Sequence, residues 1–418
     1  MCAGKADDEQ DHGAGFRTAL GRWQFGRLRS FVSTPAKLPR WAELGLIPVI
    51  NLVAALLLSA GIIKLIGESP WAALQLFARG AFGGQEAIGY TLYYATNYIF
   101  TGLAVAVAYH AGLFNIGAEG QAYIGGLGSG LVCLWCGQWS FWAVLPLAIL
   151  AGAIFGAAWA LIPAWLQAKR GSHIVITTIM FNFIASAMMT YLLVDVLIKP
   201  GQQSPETREF APAAFMPAIH DLLAKIGVSF ASTPFNFAFV LALIAAVLVG
   251  LFVWRTRWGY ALRVVGENPA AAVYAGIQPP RVIIGTMLLS GALAGCVGLN
   301  ELMGSQHRIV IDFPGGAGFV GIAVALMGRN KPMGIVLAAV LFGALTQGGS
   351  QLSFDMPKIN RDMVVVIQGL VILFCGALEN LFRVPMAALF DRAPGAAPEP
   401  RADALRGECA APSAEAKS

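Results

Sequence analysis

Apolar residues along this chain come in continuous blocks of membrane-spanning length rather than at amphipathic spacing. Ten blocks lie at roughly 45–66, 89–110, 121–137, 141–165, 174–196, 235–254, 281–302, 316–328, 333–350 and 362–382. Each predicts a helix. The blocks are continuous and not alternating, which argues against a β-barrel. The eighth, Gly316 to Gly328, is too short to cross about 30 Å of hydrocarbon at 1.5 Å per residue. It either borrows residues from the Pro314 side or is a broken element. The pattern predicts an all-α, polytopic integral membrane protein of about ten transmembrane helices.

Composition agrees: 57% of the 418 residues are hydrophobic and 12% charged, against about 25% charged in soluble domains. The charges also orient the chain. With the N-terminus inside, the inner segments, counting Arg281 with its adjacent loop, hold 20 Lys and Arg and the outer segments hold 7, with Lys64 in the first span. That is the positive-inside bias, and it places both termini in the cytoplasm. Residues 1–44 form a basic cytoplasmic extension carrying Arg17, Arg22, Arg27, Arg29, Lys37 and Arg40, suited to topogenic charge and anionic lipid. They contain no secretory signal pattern. Residues 45–385 form the transmembrane domain. Residues 386–418, rich in Ala, Pro and Glu toward the end, read as a disordered cytoplasmic tail.

Candidate chemistry is sparse. Cys133 and Cys136 make a C-x-x-C inside an apolar span; without other soft ligands nearby this reads as helix packing and not as zinc. The five histidines are scattered. No metal set, nucleophile elbow or phosphate-binding P-loop is present, so no cofactor, no enzymatic activity and no nucleic-acid partner are expected. Small residues at four-residue spacing, Gly126/Gly130, Gly152/Gly156 and Gly291/Gly295, predict close helix packing. A faint internal repeat pairs Phe100–Val107 with Phe319–Leu326, six spans apart, as parallel repeats in transporters are arranged.

Two segments break the apolar pattern. Phe114-Asn115-Ile116-Gly117-Ala118-Glu119-Gly120-Gln121 lies between apolar runs. A carboxylate at membrane depth faces a protein interior or a water-filled cavity. The glycines permit a helix break whose freed backbone groups need partners. Asn115, Glu119 and Gln121 therefore either meet a solute or fasten the break. Asn182, between Phe181 and Phe183, is the strongest mid-span polar candidate; a helix–helix hydrogen bond is the plainer reading. Asn300 and Glu301 fall near the outer end of the seventh span, as gate or receptor contacts or simply solvated. The second segment is the inner loop Gly266-Glu267-Asn268-Pro269-Ala270-Ala271-Ala272-Val273-Tyr274-Ala275-Gly276-Ile277. Asn268 suits a helix cap, Pro269 its first turn, and Gly276 its end, which predicts a short surface helix.

Together, Phe114–Gln121 and Gly266–Ile277 resemble the permease subunits of bacterial ABC importers for nucleosides and simple sugars. Ile174–Ala185 and the Gly328–Gly334 turn extend the resemblance over roughly residues 45–385. The Asn-Ile-Gly-Ala-Glu-Gly-Gln form is similar to the branch that works with a lipoprotein receptor for nucleosides. The resemblance implies a multi-pass protein of the bacterial plasma membrane that translocates nucleosides or simple sugars. Its partners would be an extracytoplasmic binding lipoprotein, a second permease subunit and ATP-binding subunits, which alone bind and hydrolyse ATP. It also implies that Gly266, Glu267, Asn268, Pro269, Ala271, Ala272, Tyr274 and Gly276 form the coupling helix that meets the ATPase. Ala270 and Val273 stand where relatives commonly carry charges, which makes that contact more apolar here.

Two other classes compete. An ion-driven secondary transporter would need paired intramembrane carboxylates or His, and Glu119 is the clear candidate. A membrane enzyme would need a nucleophile or metal cluster, and none is visible.

Overall fold

A computed structural model describes residues 46–374. The chain divides into two units, one pairing Met1–Ile50 with Leu378–Ser418 and the other spanning Asn51–Ala377. The fold below is that of the second. The N-terminal extension 1–44, the tail 386–418 and the end of the tenth block fall outside the described residues.

Among the described residues every regular element is helical, with two isolated β-bridges, Glu206 to Val310 and Ala218 to Asn236. We number the helices α1 (Ile47–Leu65), α2 (Pro70–Phe82), α3 (Gln85–His110), α4 (Ala118–Cys136), α5 (Phe141–Trp165), α6 (Ile174–Tyr191), α7 (Ile219–Ala224), α8 (Ala238–Arg255), α9 (Arg257–Glu267), α10 (Pro269–Tyr274), α11 (Pro279–Gly295), α12 (Ala317–Met327), α13 (Pro332–Asp355) and α14 (Arg361–Ile372). Among the described residues, five helical stretches are long and apolar enough to cross a membrane: Phe141–Arg170, Ile174–Val196, Ala238–Arg255, Pro279–Gln306 and Pro332–Asp355.

Three features differ from the sequence expectation. The stretch after the first block, read as an outer connection, contains α2: Ser69 caps it, Pro70 opens it, and its apolar face packs on α13. The inner loop holds two helices, because Thr256 accepts from the Gly259 amide and starts α9 before Asn268 starts α10. The seventh block extends as a π-helix, Leu299–Gln306, beyond α11.

Helix α3 runs through the core, buried from Ala95 to Ala108. Beside it α4, α5 and α11 approach backbone to backbone. A Cβ at Gly125 would collide with Gly295, one at Gly152 with Ser129, and one at Gly156 with Gly291, so the small-residue spacings at 152/156 and 291/295 do set helix distance. Gly126 meets Phe313 and the backbone at Gly298, and Gly130 meets Ile309. The two similar octapeptides are neighbours: Gly321 of α12 lies on Thr101 and Gly102 of α3 on Val324. That is a packing contact and does not in itself make a repeat.

Candidate functional site: a junction of two half-helices

Helix α3 ends at His110. Gly112 then adopts φ +72, with its Cα against the Gly266 backbone, and residues 113–116 run without regular structure into α4. This irregular segment is buried: Asn115 is 0% exposed and Gln121 1%. A buried backbone without helical partners must find others. The polar side chains of the motif supply them. Asn115 Oδ1 accepts the Gly117 amide at 2.9 Å, and its Nδ2 donates to Gln121 Oε1 and Ser290 Oγ, both at 2.9 Å. Ser290 in turn donates to the Ala104 carbonyl at 2.6 Å, tying the segment to α3. Asn182 splints the break from α6: Nδ2 donates to the Ile116 carbonyl at 3.0 Å, and Oδ1 accepts the Gly120 amide at 2.9 Å.

Glu119 does something different. It stands in the first turn of α4, and its carboxylate crosses to another helix. Oε1 accepts the Gly316 amide at 2.9 Å and Oε2 the Gly318 amide at 2.6 Å. Gly316 is the N-cap of α12, with φ +82 and no capping side chain of its own. One carboxylate thus serves the N-terminal ends of two helices, where helix dipoles favour negative charge. Both carboxylate oxygens are thus paired by backbone amides.

The chain reaches α12 by descending along α4. Ile309 lies on Gly130, Phe313 on Gly126 and edge-on to Tyr123 at 5.2 Å, and the Asp312 amide donates to the Tyr123 hydroxyl. From Gly130 to Glu119 this covers ~16 Å of α4 at the helical rise. The short eighth block is therefore a broken element: an irregular descent followed by the half-helix α12. From the other side, Asn182 stands ~12 Å along α6 from its start at Ile174, and Ser290 ~16 Å along α11 from Pro279. Two half-helices meet N-end to N-end deep inside the bundle.

Asn300 and Glu301 are not solvated. Both are buried on the π-helix, bonded to Tyr93, Asn97 and Asn236. Glu119 is thus not alone as a buried carboxylate. The signal for the partners was in the sequence, since Asn97 and Asn236 interrupt apolar runs; Ser290 carried no comparable signal.

Between α8 and α11, Asn268 caps α10 through the Ala270 and Ala271 amides at 3.0 and 3.1 Å. Gly266 abuts the His110 carbonyl, leaving no room for a Cβ, and Ala272 is buried. Tyr274 is 95% exposed, Glu267, Pro269 and Ala271 face outward, and Gly276 has φ +74. Beside α10 a groove of about 620 Å³ is lined by Tyr109, His110, Trp254, Tyr260, Arg263 and Asn268, among others. The Arg263 guanidinium stacks over Trp254 at 4.7 Å. Among the described residues no group of His, Cys, Asp and Glu could hold a metal ion.

The bundle thus combines buried helix breaks with an exposed helix pair between α8 and α11. Residues 87–376 match the family described as branched-chain amino acid transport system / permease component, and the chain belongs to that family. It is 35% identical over 373 residues to the glucose ABC transporter permease protein TsgB13 of Haloferax volcanii, covering 88% of this chain and 96% of the relative. It is 34% identical over 335 residues to the guanosine ABC transporter permease protein NupP of Bacillus subtilis, covering 79% and 92%. The nucleoside ABC transporter permease protein NupB of Lactococcus lactis subsp. cremoris is likewise 34% identical over 335 residues, covering 79% and 90%. No solved structure matches the chain. The protein is a multi-pass ABC transporter permease; its relatives are transporter components, and its family works with ATPase and substrate-binding subunits.

Proposed function

We propose that this permease imports nucleosides, with simple sugars as the runner-up solute, using ATP hydrolysed on a separate subunit. The observation that carries the import reading is the junction at Glu119. Transporters commonly place their site where discontinuous helices meet at mid-depth, and α4 and α12 meet that way. The guanosine and nucleoside relatives favour the solute class, while the glucose relative keeps sugars open. Asn115, Glu119, Gln121 and Asn182 have their polar atoms committed to the break, which favours fastening over direct solute contact. They act on the path by holding its walls.

Ten spans with both termini inside fit the helix positions and the aromatic residues. Trp142 and Trp165 mark the two ends of α5, ~35 Å apart at the helical rise, as interfacial belts require. Trp135 and Trp139 join Trp142 at the outer end, and Trp254 and Trp258 stand at the inner end. The α10 surface and its groove face the ATPase in this topology, with Gly266, Glu267, Asn268, Pro269, Ala271, Ala272, Tyr274 and Gly276 as the coupling element. A second permease subunit completes the path, a binding lipoprotein delivers solute outside, and the protein lies in the cell membrane with its basic extension on anionic lipid. The test is uptake of labelled guanosine, glucose and leucine by proteoliposomes carrying the full complex. Guanosine uptake that needs internal ATP and survives an ionophore is expected. Uptake abolished by an ionophore with ATP intact would overturn the reading.

A further inference from the structure

The buried cluster on the π-helix has a direction. Glu301 accepts twice, from the Tyr93 hydroxyl at 2.6 Å and from Asn97 Nδ2. A carboxylate only accepts, so Asn97 must turn its amide nitrogen toward it and its Oδ1 away. That Oδ1 accepts from Asn300 Nδ2 at 2.8 Å, and Asn300 Oδ1 accepts from Asn236 Nδ2 at 2.9 Å. Asn236 Oδ1 accepts the Ala238 amide at 2.9 Å, at the start of α8. Every amide in the chain is thus fixed from both ends. Tyr93, Asn97, Asn236 and Asn300 are buried together with Glu301, and no cation shares the cluster. A chain of bonds polarised toward one acceptor strengthens each member.

The placement gives the cluster a use. Helices α8 and α11 are the two that α9 and α10 join at the inner face. Asn236 precedes α8, and Asn300 lies on the π-helix that extends α11. The Asn236–Asn300 bond therefore ties together the far ends of those two helices, ~27 Å from Arg255 along α8 and ~32 Å from Pro279 along α11. Gly304 of the π-helix meets the Asn236 side chain so closely that a Cβ there would collide with it. Asn97 and Tyr93 attach this tie to α3.

We infer that Glu301 is a positioning residue that clasps the outer ends of α8 and the α11 extension. It makes a closed frame of α8, α9, α10 and α11, so that a push on α10 tilts the pair together instead of splaying it. This rests on the import reading, in which α10 receives that push. Without the clasp, ATP hydrolysis proceeds while its motion is lost between the helices.

The test exploits the direction of the bonds. Glu301→Gln alone can keep the chain by turning its Oε1 to Asn97 Nδ2 and its amide nitrogen to the Tyr93 hydroxyl, which can accept. The chain-breaking single at this position is therefore Glu301→Leu, which offers Asn97 no acceptor. Asn97→Asp sets two carboxylates against each other. The double variant Asn97→Asp/Glu301→Gln restores every bond: the new amide at position 301 donates to the new carboxylate at position 97, which still accepts from Asn300. In proteoliposomes carrying the full complex, the single variants Glu301→Leu and Asn97→Asp should each raise the ATP hydrolysed per guanosine imported roughly tenfold, the scale of one lost charge-assisted bond. The double variant should return to within about threefold of wild type. Asn236→Ala, which cuts the far end, should match the single variants. Hydrogen exchange of the purified permease reads the clasp apart from transport: amides 299–306 and 238–241 should exchange faster in the singles and recover in the double. Glu301→Leu and Asn97→Asp variants that exchange and transport like wild type, or a double variant no better than Asn97→Asp, would overturn the inference. A wild-type complex with no ATP-driven uptake would overturn the import reading and the coupling role with it, while the exchange pattern would still decide the clasp.

Discussion

Replacing Glu119 separates a fastening carboxylate from a proton-carrying one. The wild-type side chain accepts two backbone amides of α12, at 2.9 and 2.6 Å. Glu119→Gln keeps one acceptor and turns an N–H toward the other amide, leaving one donor unpaired. That costs about 1–3 kcal/mol, and loss of the charge between two helix ends adds roughly 0.5–1 kcal/mol. Glu119→Ala leaves both amides unpaired, about 2–6 kcal/mol, plus the same loss. Gly315, Gly316 and Gly318 bring no side-chain acceptor of their own to that end of α12. Gln should therefore retain measurable uptake and intermediate thermal stability, and Ala should lose both. The assay is ATP-driven uptake by wild type, Gln and Ala at two external pH values with ATP held constant, beside thermal unfolding of each purified permease. Equal loss in Gln and Ala, with steep pH dependence in wild type, would refute the reasoning, because a proton-carrying carboxylate fails alike in both.

Three further outcomes are expected. Tyr274→Asp should leave the permease at its normal level in the membrane and lower uptake roughly tenfold, the scale of an interface tyrosine, because Tyr274 is exposed and touches little of its own chain; Gly276→Pro should do the same by forbidding the φ of +74, and full uptake with both would remove α10 from the mechanism. Impermeant thiol reagents added outside should label engineered cysteines at Gln203 and Pro357 and spare those at Glu267 and Lys331, where labelling would sink the topology. His307 stacks on Phe215 at 3.8 Å, and burial pushes its imidazole below the ordinary value, with the Met303 carbonyl opposing in part and Glu209 and Arg308 nearby. Its neutral form is the favoured one in the fold, so its contribution is present above the unfolded value of about 6.5 and is lost as pH falls below it. The amide of Phe210, which donates to the His307 carbonyl, should exchange faster on acidification, and His307→Phe should remove that dependence.

The sequence pattern made most helices legible, because apolar blocks in lipid have few alternatives to helix. It missed α2, whose mixed composition reads as a connection, and it read α9 as loop, since an amphipathic surface helix lacks the continuous apolar run. The junction was half legible. Asn115, Glu119 and Gln121 announced a break, and the shortness of the Gly316–Gly328 block announced another. That the two breaks meet was not legible, because a bond from Glu119 to Gly318 spans 199 positions and leaves no local mark. Glu301 looked like the end of a span because the apolar block stops there, whereas the helix continues as a π-helix to Gln306 with Leu299 to Met303 buried.

Both buried carboxylates bear on how transport is driven. An ion-coupled carrier needs a carboxylate that changes partners during the cycle. Glu119 is bonded to two backbone amides, and Glu301 terminates a chain in which every amide is fixed by its neighbours. Each site is therefore built to keep its acceptors in place while the helices around it move as units. The free energy for that movement then has to enter from outside the bundle. The exposed α10, held between two helices whose far ends are tied, is where the architecture offers a handle for it.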